Sequence, residues 1–157
     1  MSEVKLVKSN LLFPFINEML NSRKYVRITV TGMSMYPFLR ENIDSIELSS
    51  VNFTNLHRND IVMILRDSNE YVMHRVIKKE NDCFYIVGDA QQWIEGPLRP
   101  NQLVAKITTI WRRNKKIDCT NLWWRLLSSL WLVLLPFRHI VIKSYSRFYH
   151  KFTHEKS

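Results

Sequence analysis

Between residues 25 and 111 apolar and polar residues alternate in short runs, the period of a half-buried strand. Val26, Ile28 and Val30 alternate with Arg27, Thr29 and Thr31, and the run stops at Gly32. The same reading predicts strands over residues 45–48, 61–65, 71–77, 83–87 and 103–111. Turn-forming residues separate them: Asp67-Ser68-Asn69, Asn81-Asp82 and Arg113-Asn114. Residues 91–100, with Gly96, Pro97 and Pro100, read as a loop. Short strands joined by hairpins predict a mainly β domain built on a coiled antiparallel sheet.

The period changes at both ends. Leu12, Ile16, Met19 and Leu20 recur at helical spacing, so a short amphipathic helix is expected over about residues 10–22, with Pro14 near its start. Pro14, Asn17 and Glu18 break its apolar run, and no small-residue cleavage site follows, which argues against a signal peptide. Beyond residue 120, Asn121 can cap a helix running from Leu122 to Leu135, which Pro136 ends or kinks. Phe137, Ile140, Val141, Tyr145 and Phe148 then form an apolar stripe, with Arg138, Lys143, Arg147 and Lys151 off it. The uninterrupted apolar run, residues 130–135, is far short of the roughly 20 residues that span a bilayer. Interfacial helices rich in Trp and basic residues fit this pattern. The expected organisation is a β domain over residues 1–119 and a basic, aromatic helical tail over 120–157.

Charge sharpens that division. Of the net +9, residues 112–157 carry +8, from ten Lys or Arg and two acids. Residues 1–111 hold thirteen basic and twelve acidic residues. A nearly neutral body with a basic, aromatic tail implies an anionic partner for the tail alone. Membrane lipid fits better than nucleic acid, where the Leu/Trp run would have no role, so an anionic membrane surface is expected and nucleic acid is not. Two cysteines, Cys83 and Cys119, make no disulfide framework or metal cluster and read as idle thiols. No phosphate loop or dinucleotide motif is present, and no cofactor is expected.

Three segments carry candidate chemistry: Thr31-Gly-Met-Ser-Met-Tyr-Pro-Phe-Leu39, Tyr71-Val-Met-His-Arg-Val-Ile77 and Val87-Gly-Asp-Ala90. A serine hydroxyl attacks a carbonyl only with a base within reach and donors aimed at the developing oxyanion. Ser34, just past a strand end at a glycine turn, can present its hydroxyl and its own N–H together; the alternative is a turn-capping serine. His74 has the ordinary imidazole value near ~6.5 that suits a base at neutral pH; the alternative is a buried core histidine. Asp89 either fixes the tautomer of His74 or simply makes a turn, and Asp44 and Asp60 compete for the first role. Met33, Met35 and Tyr36 either pack the core or line a shallow pocket for small substrate side chains.

Read together, the segments resemble the superfamily of serine peptidases that includes signal peptidase I and the self-cleaving SOS-type repressors. Gly32 to Leu39 matches the nucleophile box Gly-x-Ser-Met-x-Pro-x-Leu, and Gly88-Asp89 is similar to the family's Gly-Asp box. His74-Arg75-Val76 resembles the histidine-using branch, which includes the archaeal and endoplasmic-reticulum enzymes. Arg58-Asn-Asp-Ile-Val62 resembles a Gly-Asp-Ile-Val segment, with Asn59 replacing glycine. The likeness runs from about residue 26 to about residue 117.

The resemblance implies a serine endopeptidase that cleaves signal or leader peptides bound as an added strand. Ser34 would be the nucleophile, His74 the general base and Asp89 the acid that completes the site. The open alternatives are a leader or propeptide processor acting on the cytoplasmic side, and a non-catalytic peptide-binding regulatory domain. Two departures are local. The turn Arg40-Glu-Asn-Ile-Asp44 has no glycine, and Gly32 stands where many bacterial enzymes have a serine that helps bind the oxyanion. A third is the absence of the family's usual N-terminal membrane anchor.

Overall fold

The structure, a computed structural model, describes residues 16, 18–20, 26–138 and 140. Eight strands form one antiparallel sheet: β1 (Val26–Thr29), β2 (Asp44–Ser49), β3 (Ile61–Leu65), β4 (Tyr71–Lys79), β5 (Phe84–Val87), β6 (Glu95–Leu98), β7 (Leu103–Arg112) and β8 (Lys115–Asp118). The spatial order is β1-β2-β7-β3-β4-β5-β6, with β8 paired to β7. The mainly β, antiparallel expectation holds, and six of the expected strands lie where the period-two pattern puts them.

The remaining two strands correct the reading. β6 falls inside the expected loop 91–100. It pairs with β5 at the end of the sheet, where Pro97 costs no ladder hydrogen bond on the open side. β8 has one apolar residue, Ile117, and forms because Arg113 and Asn114 both take positive φ (47° and 66°), the geometry of a tight hairpin.

β3 explains the core. Its sequence IVMIL is buried at all but the last position, because it lies between β7 and β4 with both faces covered. Ile61 and Met63 join a core with Leu39, Ile46, Leu48 and Ile107. Val62 and Ile64, pointing the other way, join a second core with Val76, Phe84 and Ile86. Of the expected N-terminal helix, Ile16, Glu18, Met19 and Leu20 are helical, and Ile16 and Leu20 are buried in the first core; its remaining residues lie outside those described.

Helix α1 (Leu122–Val133) starts where expected: Asn121 Oδ1 accepts from the Trp123 N–H at 2.9 Å. Its inner face, Trp124, Ser128, Trp131 and Leu132, packs onto the β domain. Trp124 meets Phe38 edge-on with ring centroids 5.2 Å apart. Trp131 Nε1 donates to the Asp89 carbonyl at 3.0 Å. Arg138, just past the helix and wholly buried, donates to the carbonyls of Gly88 (3.0 Å) and Trp131 (3.1 Å). Contacts therefore cross the boundary expected at 119/120. Among the described residues no helix is long and apolar enough to cross a membrane. The second tail helix, beyond residue 140, lies outside the described residues.

If α1 belongs to the folded unit, Trp131→Ala destabilises the protein by about 3–5 kcal/mol, the range for deleting a large buried aromatic. Urea unfolding measures this. A loss below about 1 kcal/mol would mean that the helix contributes little to the fold.

Candidate active site

Residues 31–39 lie in the connection from β1 to β2. Gly32 has φ +84°, and a Cβ there would meet nothing within 4 Å, so glycine is required by the backbone turn and not by space. Asn42, in the turn before β2, has φ 56°, and Asn59, just before β3, has φ 79°. Asparagine tolerates this left-handed region, so neither turn requires glycine. Within this connection, Tyr36 N–H donates to Met33 O and Leu39 N–H to Met35 O, which leaves the Ser34 and Met35 N–H groups out of these turn bonds.

Ser34 is half-buried and is held from behind by the Gly-Asp segment. Ala90 N–H donates to the Ser34 carbonyl at 2.8 Å. A Cβ on Gly88 would stand 2.7 Å from that same carbonyl oxygen, so only glycine lets the two backbones meet. The Gly88–Ala90 segment thus fixes the height and angle of the serine.

Ser34 and His74 line one cleft of about 310 Å³. One wall is the chain from Ile28 to Gly32, and the other is Tyr71 to His74, with Met35, Met63, Arg66 and Gln91 between. Of the three residues expected to bind substrate, Met35 lines this cleft although it is otherwise buried. Met33 is exposed, Tyr36 is half-buried, and neither borders the cleft. The apolar lining comes instead from β1, β3 and β4.

His74 is buried on β4, opposite Val62 of β3. Burial holds its imidazole below the ordinary value; Glu95 pushes the other way, Arg66 lowers it further, and Asp89 raises it slightly. The imidazole is therefore neutral at neutral pH, the state a base requires.

The expected His74–Asp89 contact is not what forms. Asp89 is wholly buried and receives two bonds from Arg75, Nε to Oδ1 at 2.8 Å and Nη2 to Oδ2 at 2.6 Å. Arg75 follows His74 on the same strand, and successive strand residues point to opposite faces. A carboxylate engaged by Arg75 is thus on the wrong side of β4 to hold His74. The competing carboxylates are also engaged elsewhere: Asp44 binds Arg112 at 2.7 Å, and Asp60 binds Lys106 at 2.9 Å. The acid facing His74 is Glu95, with Oε2 at 3.7 Å from Nδ1.

Glu95 was not legible as a site residue. It lies in a stretch that reads as loop, and its approach to His74 depends on the register of three strands. Neither cysteine competes as a nucleophile: both thiols are free, and burial pushes Cys119 up to about 12. Against known proteins, the chain matches no family model and no curated sequence.

The buried Arg75–Asp89 pair yields a stability prediction. Asp89→Ala leaves two buried guanidinium groups, Arg75 and Arg138, without their carboxylate and costs about 3–5 kcal/mol. The double variant Arg75→Met/Asp89→Leu, which buries no charge from the pair, loses less than Asp89→Ala alone. Urea midpoints of the variants test this, and strictly additive losses would show that the pair is not coupled.

Proposed function

We propose that the protein is a serine endopeptidase of the signal-peptidase type, acting on extended peptides at an anionic membrane surface. The observation that carries this reading is the shared cleft: a serine on a rigid glycine turn and a neutral, buried imidazole line the same groove. The groove lies between two extended segments, Ile28 to Gly32 and Tyr71 to His74, which suits a substrate bound as an added strand.

The chemistry follows from those two groups. The Ser34 Oγ–H proton passes to His74 Nε2 as Oγ bonds to the scissile carbonyl carbon, and the carbonyl π electrons move onto oxygen. Among the described residues the backbone N–H groups of Ser34 and Met35 take no part in the turn bonds, and they are suited to receive that oxyanion. The imidazolium then gives its proton to the leaving amine nitrogen as the C–N bond breaks. Water repeats the sequence on the acyl-enzyme and frees Ser34. Asp89 acts at a distance from the reacting atoms, as the buried anchor of the segment behind Ser34.

Membrane association is supported by the outer face of α1. Leu122, Trp123, Leu126, Leu127, Leu130 and Val133 are all exposed, opposite the packed face. A helix apolar on both sides needs a second apolar environment. The exposed Trp93 and Ile94 extend this surface, because Gln92 Nε2 reaches the Pro136 carbonyl at 3.5 Å and brings their loop beside the helix end. Apart from Arg112 and Arg138, which are engaged by Asp44 and Asp89, the basic residues of 112–157 supply attraction to anionic headgroups.

Ser34→Ala is expected to abolish cleavage of quenched peptides with small residues at the cut site, while unfolding as the wild type does. Wild-type activity should rise with pH through one group whose midpoint lies below the ordinary histidine value of ~6.5, because burial disfavours the protonated imidazole. Cleavage retained by Ser34→Ala would remove the serine. A limb rising only above about pH 9 would replace His74 by a lysine base.

The membrane reading makes a separate prediction. The full chain should sediment with anionic vesicles more than with neutral ones, and salt should weaken binding without abolishing it. Trp123→Glu/Leu127→Glu, on the outer face, should release it while the fold stands. Unchanged vesicle binding by that variant, or salt-sensitive binding of DNA without vesicle binding, would exclude this surface.

A further inference from the structure

A histidine base works through one ring nitrogen, and a partner on the other nitrogen decides which tautomer is present. In this protein Nδ1 of His74 is buried and makes no hydrogen bond among the described residues. A carboxylate waits beside it. Glu95 Oε2 is 3.7 Å away, its side chain about one-fifth exposed. We propose that Glu95 is the positioning carboxylate of His74, and that Arg66 holds Glu95 in place for that role. The proposal rests on the peptidase reading of Ser34 and His74 and adds to it the group that sets the base.

Strand register brings these residues together. Val76 of β4 lies opposite Ile86 of β5, and Ile86 lies opposite Glu95 of β6. Cross-strand partners share a face, so Glu95 stands on the face of Val76 and of His74, two residues earlier. Arg66 continues the Val62, Ile64 alternation of β3 onto that face as well. It donates to Glu95 through Nε at 2.7 Å and Nη2 at 2.6 Å, a two-bond clamp that fixes the carboxylate plane. The clamp also holds Glu95 below the usual carboxylate value, so the group is an anion at neutral pH.

From this position Glu95 can accept the Nδ1–H, which leaves Nε2 unprotonated for the serine. The 3.7 Å separation exceeds a hydrogen bond by less than about 1 Å, and such contacts commonly tighten when substrate closes the site. When His74 takes the serine proton, the anion faces the new imidazolium charge. Arg66 opposes that charge and Asp89 favours it weakly from beyond Arg75. Burial and Arg66 therefore keep the base neutral at rest, and Glu95 supports it once charged.

Two measurements test the proposal. The His74 imidazole is titrated by NMR in the inactive Ser34→Ala protein, with and without Glu95→Gln. Removing the anion should move the titration to lower pH; an unmoved titration overturns the contact. Because this arm requires no turnover, its result stands even if the protein cleaves no peptide, in which case the peptidase reading fails by itself. In the active protein, Glu95→Gln should lower kcat about tenfold or more, leave KM within about twofold and shift the rising pH limb to lower pH. Glu95→Asp, which keeps the charge, should recover part of kcat. Wild-type kcat and an unmoved limb in a folded Glu95→Gln protein would overturn the assignment.

Discussion

The buried ion pair between Arg75 and Asp89 is the constraint on which the rest of the molecule depends. Both side chains are wholly inaccessible, which carries a large desolvation cost. The pair offsets that cost only because nearly every donor and acceptor finds a partner. Arg75 Nη1 also reaches the Asn59 carbonyl at 3.1 Å, and its guanidinium lies over the Phe38 ring at 4.8 Å. Arg138 adds a second buried cation 3.9 Å from Asp89, made tolerable by the carbonyls of Gly88, Trp131 and Gln91. Replacing such a pair by apolar side chains often leaves stability unchanged. Its contribution here is geometric. It joins the strand bearing His74, the turn below Ser34 and the end of α1 in one arrangement.

The alternation of a strand divides labour between adjacent residues. His74 and Arg75 are neighbours in sequence, yet one faces the cleft and Glu95 while the other faces Asp89 and Phe38. The cleft on one side of β4 is thus separated from the buried ion pair on the other. The same alternation in β3 puts Met63 in one core and Val62 in the other. Shifting β4 by one residue would turn His74 toward the side of Asp89 and Arg75 toward the cleft, and would undo both arrangements at once.

This division explains what could be read from the sequence. β1 to β5 and β7 were legible because their apolar residues recur at the period of the sheet. β6 and β8 were not: β6 carries glycine and proline, β8 is mostly charged, and each is held by pairing more than by burial. Ser34 and His74 stood out by local motif, and the structure lines one cleft with both. The partner of His74 did not, because a triad reading looks for any nearby acid, and Asp89 is near in sequence but on the other face. Only the registers of β4 with β5 and of β5 with β6 single out Glu95. The Trp-rich helix read as a separate tail because its composition shows apolar residues without showing which of them already have a partner.

That last point changes how the helix relates to the site. Trp131 and Arg138 bond to the carbonyls of Asp89 and Gly88, and Ala90 in the same segment bonds to the Ser34 carbonyl. Two hydrogen bonds therefore separate the inner face of α1 from Ser34. Were Trp123 and Leu127 to insert among lipid chains, the helix would act on the same segment that holds the Ser34 carbonyl. A helix that seated the domain on a bilayer through one face while bracing the Gly88–Ala90 segment through the other would couple membrane contact to the geometry of the cleft. A freely jointed tail would give membrane affinity alone.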